Sequence, residues 1–229
     1  MLLKGLALAG LAAAMVCAAE KTPDERLQNA ADTFREIMAT PDKGIPQDLL
    51  GRAQCVVIIP GLKKGAFVVG GEYGKGFAEC RTGNGWSGPA AVKMTGGSFG
   101  FQIGGSETDL VLLVMNQRGM DKLMSNKFTL GADASVAAGP VGRTAAAETD
   151  ASMHAEILAW SRSRGAFAGI ALNGAVLQPD ESEDRKLYGH DVSSRDVLAG
   201  SARRSVATNP LTAALEAYPA NAGNADRSR

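Results

Sequence analysis

Residues 55–80 read CVVIIPGLKKGAFVVGGEYGKGFAEC, and this stretch decides the expected fold. It opens with CVVIIP, a short β-branched apolar run that ends in proline. The length and composition of that run predict a buried strand. Aromatic and β-branched residues punctuated by glycine follow, and glycines inside strands mark bulges, bends or close approaches of two backbones. We therefore expect neighbouring strands that curve strongly.

The same pattern continues along the chain. The segments GWSGPAAVKM, GGSFGFQIGG and DLVLLVM are each of strand length and bounded by turn residues, which indicates consecutive antiparallel strands. Residues 151–177 predict two or three further strands. So many glycines within strands favour a strongly curved sheet or a small barrel.

Helices are expected on either side of these strands. Residues 23–40 have apolar side chains at helical spacing, with Thr22 as the cap, Pro23 at the first position and Glu25 as the capping acid. Shorter helices are expected at 46–54, at 116–124 and after Pro179. The sequence thus predicts an α+β fold: a single domain with a curved, glycine-rich antiparallel β-sheet or partial barrel and flanking helices.

The first residues, MLLKGLALAGLAAAMVCAAE, have the order of a secretory signal. Lys4 precedes an uncharged apolar stretch and then small residues, and the stretch is shorter than the ~20 residues that span a bilayer. Cleavage is expected after Ala19, with Ala18 as the alternative. We expect an exported protein, periplasmic or associated with the cell envelope. A lipoprotein acylated at Cys17 is the alternative, although the residues before Cys17 match a lipobox poorly.

The expected organisation is a signal peptide at 1–19, one binding domain at 20–190, and a C-terminal extension at 191–229 that is partly helical and then disordered. The chain has 24 basic and 24 acidic residues. A nucleic-acid-binding protein is expected to have a clear basic excess, so this class is disfavoured. No metal motif is complete, since His154-Ala155-Glu156 lacks a following P-C-x-x-C, and no cofactor is expected.

Two cysteines remain after removal of the signal, Cys55 and Cys80. In an oxidising compartment an even pair predicts a disulfide. The alternative is two buried thiols that act as small apolar side chains.

Two glycine motifs suggest chemistry. Residues 96–100 match G-x-S-x-G, the nucleophile elbow of α/β-hydrolases, which requires a strand before Ser98 and a helix after it. The following residues alternate as in a continuing strand, so a serine hydrolase using Ser98 stays an alternative. Residues 70–76 look like a phosphate loop, but the spacing is short and Gly76 has no hydroxyl group. A hairpin turn is the expectation there.

Several ordered motifs together resemble the SYLF-domain family: AQCVVIIPG, GGEYGKG, WSGPA, GGSFGFQIG, DLVLLVM, LGADASVAAGPVG and SRSRGxFAG, over about residues 27–188. The resemblance implies a non-catalytic domain that binds membrane lipids. Eukaryotic members are associated with phosphoinositides and cortical actin. An exported protein would meet neither, so the expected partner is anionic lipid or a membrane surface of the envelope, and actin is set aside. The alternative is a structural or protein-interaction module of the envelope.

Binding to an anionic surface requires several converging cations, because each contributes only ~1 kcal/mol. Basic side chains in expected loops are therefore the candidates, with Lys63 and Lys64 in a turn after Pro60. The candidates are Lys63, Lys64, Lys75, Arg81, Lys93, Arg162 and Arg164. No catalytic residue is expected.

Overall fold

The computed structural model describes residues 21–41, 44–67, 69–99, 104–140, 155–163, 166–167, 172–202 and 209–218. The expected signal peptide with Cys17, the candidate Arg164, His154 and the tail after Tyr218 lie outside these ranges. Across the described ranges, no helix combines the length and hydropathy needed to cross a membrane.

The described chain alternates strands with short helices. The helices are α1 (Pro23–Met38), α2 (Gln47–Arg52), α3 (Gln117–Leu123), α4 (Glu181–Tyr188), α5 (Ser194–Leu198) and α6 (Pro210–Glu216). The strands are β1 (Cys55–Phe67), β2 (Val69–Thr82), β3 (Gly85–Trp86), β4 (Ala90–Phe99), β5 (Gly104–Val114), β6 (Phe128–Thr129), β7 (Val136–Ala138), β8 (Ile157–Ser163), β9 (Ala166–Phe167) and β10 (Val176–Pro179).

These strands form one sheet in the order β6-β10-β4-β2-β1-β5-β8-β7, with β3 added beside β2 and β9 beside β8. The sheet curls into a half-barrel, which confirms the predicted α+β class. Pairing is antiparallel throughout the central strands. One parallel pair, β7 with β8, was not expected.

Local signals predicted α1 well. Thr22 accepts a hydrogen bond from the Glu25 amide, and the Glu25 carboxylate accepts one from the Thr22 amide. This reciprocal capping box satisfies two amides that have no partner within the helix. The buried stripe of α1, including Phe34 and Ile37, packs on one face of the sheet.

The apolar run at the start of β1 is buried on both faces of the sheet. Val56 and Ile58 pack beneath α1, whereas Val57 and Ile59 belong to the core on the other face of the sheet. Each of these four side chains is at most 1% exposed. Burial on both faces explains why this run is continuously apolar rather than alternating.

The proline did not end the strand as predicted, and Lys63 and Lys64 are not in a turn. β1 continues to Phe67, and its register against both neighbours shifts around Pro60-Gly61. Proline is tolerated at such a bulge because its missing donor is not needed in the ladder. Gly61 adopts φ +59°, and its amide donates to Asp109 Oδ1 at 3.0 Å.

Residues 70–76 are strand rather than the expected hairpin turn, because β2 pairs here with β4 and, beside the bulge, with β1. A Cβ atom on Gly76 would lie 1.9 Å from the Ile58 carbonyl oxygen. One on Gly74 would lie 2.6 Å from Ile59 Cγ2. These glycines therefore let β2 approach the distorted part of β1.

Cys55 and Cys80 face each other in register on β1 and β2 and form a disulfide, which confirms the predicted bridge. The two residues are separated by 25 positions in sequence. Both are fully buried.

Replacing Cys55 and Cys80 together by alanine is expected to lower the free energy of unfolding by about 3 kcal/mol, because the unfolded chain loses a cross-link. Urea denaturation of oxidised protein measures this change. A reductant present during unfolding should lower the stability of the wild type but leave the double variant unchanged. Equal stability of the oxidised wild type and the double variant would contradict the prediction.

Candidate binding surface

The basic residues expected to contact a ligand lie on four different strands. Lys63 and Lys64 are on β1, Lys75 and Arg81 on β2, Lys93 on β4 and Arg162 on β8. The structure pairs Lys75 with Lys93 in register, whereas the consecutive Lys63 and Lys64 of β1 point to opposite faces of the sheet. Most of these side chains bind other parts of the fold, as the following contacts show.

Arg81 holds the end of α2. Its Nε and Nη2 atoms donate to the carbonyl oxygens of Ala53 at 3.1 Å and Leu50 at 3.2 Å. The guanidinium also lies over the Trp86 ring, 4.2 Å from the ring centroid. Burial lowers the pKa of Arg81, which does not remove its charge. Arg81 is thus engaged in stabilising a helix terminus and a cation–π contact.

Arg162 connects β8 to α1 and β5. Its Nη2 atom donates to Glu36 Oε2 at 2.6 Å and to Asp109 Oδ2 at 2.8 Å. Burial opposes its charge, but the hydrogen bonds to Asp109 and Glu36 outweigh burial and raise the pKa of Arg162. Asp109 also accepts the Gly61 amide, so this contact supports the bulge in β1.

Lys75 is part of a network of charges beneath α4. Its Nζ atom lies 3.1 Å from Asp180 Oδ2 and 3.6 Å from Glu183 Oε2, and Glu183 also accepts from Arg26 at 3.0 Å. The two carboxylates are at most 5% exposed. Burial opposes the charge of Lys75, but the hydrogen bond and charge of Asp180 outweigh it and raise the pKa of Lys75. This network joins α1, β2 and α4.

The remaining lysines are less constrained. Lys64 and Glu72 face each other across β1 and β2, with Nζ and Oε2 separated by 3.0 Å. Because both side chains are partly exposed to solvent, this ion pair contributes at most about 1 kcal/mol to the stability of the domain. Lys93 is half-buried opposite Lys75, and Lys63 is exposed.

None of the described helices covers one part of the sheet, and this part carries an exposed aromatic residue. Tyr73 is 48% exposed. In β2 it shares one face with Lys75 and Phe77, and of these three residues only Phe77 belongs to the apolar core beneath α1. Directly opposed residues of antiparallel strands share a face. Tyr73 therefore lies in one row with Lys63 on β1 and Thr95 on β4.

This row extends to Glu107, which opposes Lys63 on β5. Beside it runs a row of exposed glycines without side chains: Gly65, Gly71 and Gly97. We call Lys63, Tyr73, Thr95 and Glu107 the tyrosine row. Sequence reasoning found Lys63 but missed Tyr73. The alternation of side chains along β2 predicts which face of the sheet carries Tyr73. Whether Tyr73 is exposed on that face depends on how far the helices extend over it.

The backbone at Ser98 does not form a nucleophile elbow. Ser98 lies within β4, opposite Gly70, and the next described element is the strand β5. An elbow places the serine where a strand turns directly into a helix. The serine-hydrolase alternative therefore lacks the backbone geometry that it requires.

Residues 95–218 match the family described as "Ysc84: Las17-binding protein actin regulator". LAS seventeen-binding protein 3 of Saccharomyces cerevisiae is 36% identical over 184 residues, which cover 79% of this chain and 40% of that protein. SH3 domain-containing YSC84-like protein 1 of Homo sapiens is 32% identical over 189 residues, covering 81% of this chain and 55% of that protein. The chain thus spans about half or less of the length of these relatives.

The expected partner, anionic lipid with actin set aside, is wrong. The family is described as an actin regulator, and relatives are named for binding Las17, so the partners indicated are proteins. The fold agrees with this correction, since several cations expected to contact lipid bind carboxylates or carbonyls of the domain itself. The matched residues cover more than half of the chain, and the chain therefore belongs to the Ysc84 family, the SYLF-domain family that its motifs resemble.

Proposed function

We propose that this domain is a non-catalytic protein-binding module whose partner belongs to the actin-regulating class represented by Las17. The observation that carries the proposal is the exposed Tyr73, on a part of a sheet face that no described helix covers. The names of the relatives support the class of partner. The proposal requires that the domain and an actin regulator share a compartment, so it stands against the export expected from residues 1–19.

The composition of the tyrosine row suits a protein partner. Tyrosine is enriched at protein interfaces, where its ring buries apolar area while its hydroxyl group stays hydrogen-bonded. The row also carries both signs of charge, with Glu107 directly opposite Lys63. Opposed charges at the rim of an aromatic contact favour a partner with a matching pattern. A uniformly anionic surface would attract Lys63 but repel the Glu107 carboxylate opposite it.

The adjoining glycines increase the access to Tyr73. A Cβ atom on Gly65 or Gly97 would have no heavy atom within 4 Å, so the surface beside the ring is open. A partner can therefore contact both the ring and the strand backbone next to it. Aromatic anchors whose surrounding contacts exclude water are typical of the residues that dominate binding energy.

Replacing Tyr73 by alanine is expected to weaken binding about thirty-fold or more, the loss typical of a dominant interface residue. Calorimetry with purified Las17 and co-sedimentation with actin filaments measure this. Tyr73→Phe is the matched control and should keep most of the affinity, because it retains the ring.

The unfolding curve of each variant shows whether the fold is intact. Since Tyr73 is half exposed, neither substitution should change stability by more than about 1 kcal/mol. A folded wild-type domain that binds neither protein would refute the proposal. Binding to vesicles of anionic phospholipid alone would refute it as well.

A further inference from the structure

A fully buried carboxyl group lies between the sheet and the last described helix. Glu79 of β2 is 0% exposed. Its Oε1 atom accepts a hydrogen bond from Asn209 Nδ2 at 3.0 Å, and the Thr212 hydroxyl lies 2.8 Å from its Oε2 atom. Asn209 is also the N-cap of α6, since its side chain accepts amide hydrogens from the first turn. The same polar cluster therefore begins α6 and attaches it to the sheet.

The charged groups around this carboxyl do not neutralise it. Glu216 of α6 has the same sign of charge and disfavours a second anion. Arg81, two residues further along β2, donates to backbone carbonyls at the end of α2. Arg35 of α1 donates to a backbone carbonyl in the first turn of α6. Among the described residues, Glu79 has no ion pair, so an ionised form would be a buried charge with neutral partners only.

We propose that Glu79 is a protonation-controlled latch that holds α6 on the sheet. With a proton on Oε2, the carboxyl group still accepts from Asn209 at Oε1 and itself donates to the Thr212 hydroxyl, so both neutral partners from α6 stay hydrogen-bonded. Without its proton, it is an anion under a helix, and the anion gains hydration only when α6 moves away. The apolar contacts of α6 favour the closed position, with Leu211 and Leu215 buried in the same core as Phe34.

The direction of the pH dependence follows from the burial. Burial is the largest cause and raises the pKa of Glu79 from 4.5 to about 8, although the Thr212 and Asn209 hydrogen bonds oppose it. Between these values the closed state keeps a proton that the open state has released. The closed state is therefore most favoured below the lower value and loses this advantage as pH rises through about 8.

Amide hydrogen exchange resolved by residue tests the latch on the full chain. After correction for intrinsic exchange, protection of the α6 amides should fall about ten-fold or more between about pH 6.5 and pH 9. In Glu79→Gln, which cannot ionise, this fall should be absent. The α3 amides lie on the other face of the sheet and should show no such dependence, because opening α3 does not hydrate Glu79.

Asp184 is a second buried carboxyl group whose titration must be kept apart from that of Glu79, and the pH range of the experiment is chosen for this reason. Burial raises its pKa to about 6, so its own titration is largely complete in the upper part of the range. Asp121→Asn, which removes an exposed carboxylate on α3, is the control for a change in net charge and should behave as the wild type.

The latch is refuted if α6 protection in the wild type is independent of pH, or if Glu79→Gln shows the same fall. Should Glu79→Gln fail to fold, the carboxyl carbon resonance of Glu79 in the wild type decides. A midpoint near the ordinary glutamate value overturns the latch. A midpoint above about pH 7 that coincides with the loss of α6 protection supports it.

Discussion

Replacing Gly76 by alanine is expected to prevent stable folding of the domain. The new Cβ atom would lie 1.9 Å from the carbonyl oxygen of Ile58 and 2.8 Å from Ile59 Cα. Both are backbone atoms of a central strand. They cannot move aside as the end of a flexible side chain could. Separating β1 from β2 here would also disturb the bulge at Gly61. We expect a loss of more than about 4 kcal/mol, which approaches the whole stability of many domains.

Gly71→Ala is the matched control, because Gly71 lies on the same strand. A Cβ atom there would lie 3.8 Å from the Gly96 carbonyl oxygen, an ordinary contact distance. Its stability should differ from that of the wild type by no more than about 1 kcal/mol. Circular dichroism and urea denaturation measure both variants. Similar stabilities for Gly76→Ala and Gly71→Ala would show that the close approach is not essential.

Replacing Lys75 by methionine is expected to cost about 3 kcal/mol, because two buried carboxylates lose a shared cation. Asp180 then has no partner of opposite charge at 3.1 Å, and Glu183 keeps Arg26. Lys63→Met is the control for loss of a lysine on the same sheet. Lys63 is exposed, and its replacement should change stability by no more than about 0.5 kcal/mol.

The acid side of the stability profile separates the electrostatic role of Lys75 from its packing. Burial alone would raise the pKa of Asp180, but hydrogen bonds from Ser182 and Lys75 lower it overall. A lowered pKa adds stability above the ordinary value of 3.8 that is lost as pH falls through the lowered value. Lys75→Met should therefore lose most stability near neutral pH and little in strong acid. An equal loss at every pH would indicate packing alone.

The elements predicted correctly are those whose signals are local. The run at 55–59 needed only its composition to indicate a buried strand, and Thr22 with Glu25 needed only their spacing to indicate a helix start. The disulfide was predicted from the even number of cysteines and the expected compartment. The in-register position of Cys55 and Cys80 became apparent only from the pairing of β1 with β2.

The candidate site depended on contacts between distant parts of the chain, and it was predicted poorly. Nothing near Lys75 in sequence indicates that Asp180 and Glu183 lie beside it in the fold. The positive charge of Lys75 and its expected position in a loop therefore suggested a cation available to a ligand. In the fold, Lys75 is part of a buried network of charges. The tyrosine row was missed for the same reason, because the positions of α1, α4 and α6 together determine which residues of β2 face solvent.

Proline also misled the prediction at Pro60. The residue lacks a backbone donor, and that property ends many strands. Here the following Gly61 adopts a positive φ and donates to Asp109 of β5, so the chain shifts register and continues. A local rule for one residue was overridden by a partner from another strand.

The position of α6 has a consequence for the order in which the protein is made. α6 is the last described element, yet it covers Glu79 in the second strand and packs beside α1, the first helix. Synthesis proceeds from the amino terminus, so the part of this face around Glu79 is not covered by α6 until residues 209–218 leave the ribosome. The domain completes its core only after α6 has been synthesised, and until then the nascent chain exposes apolar surface that chaperones recognise.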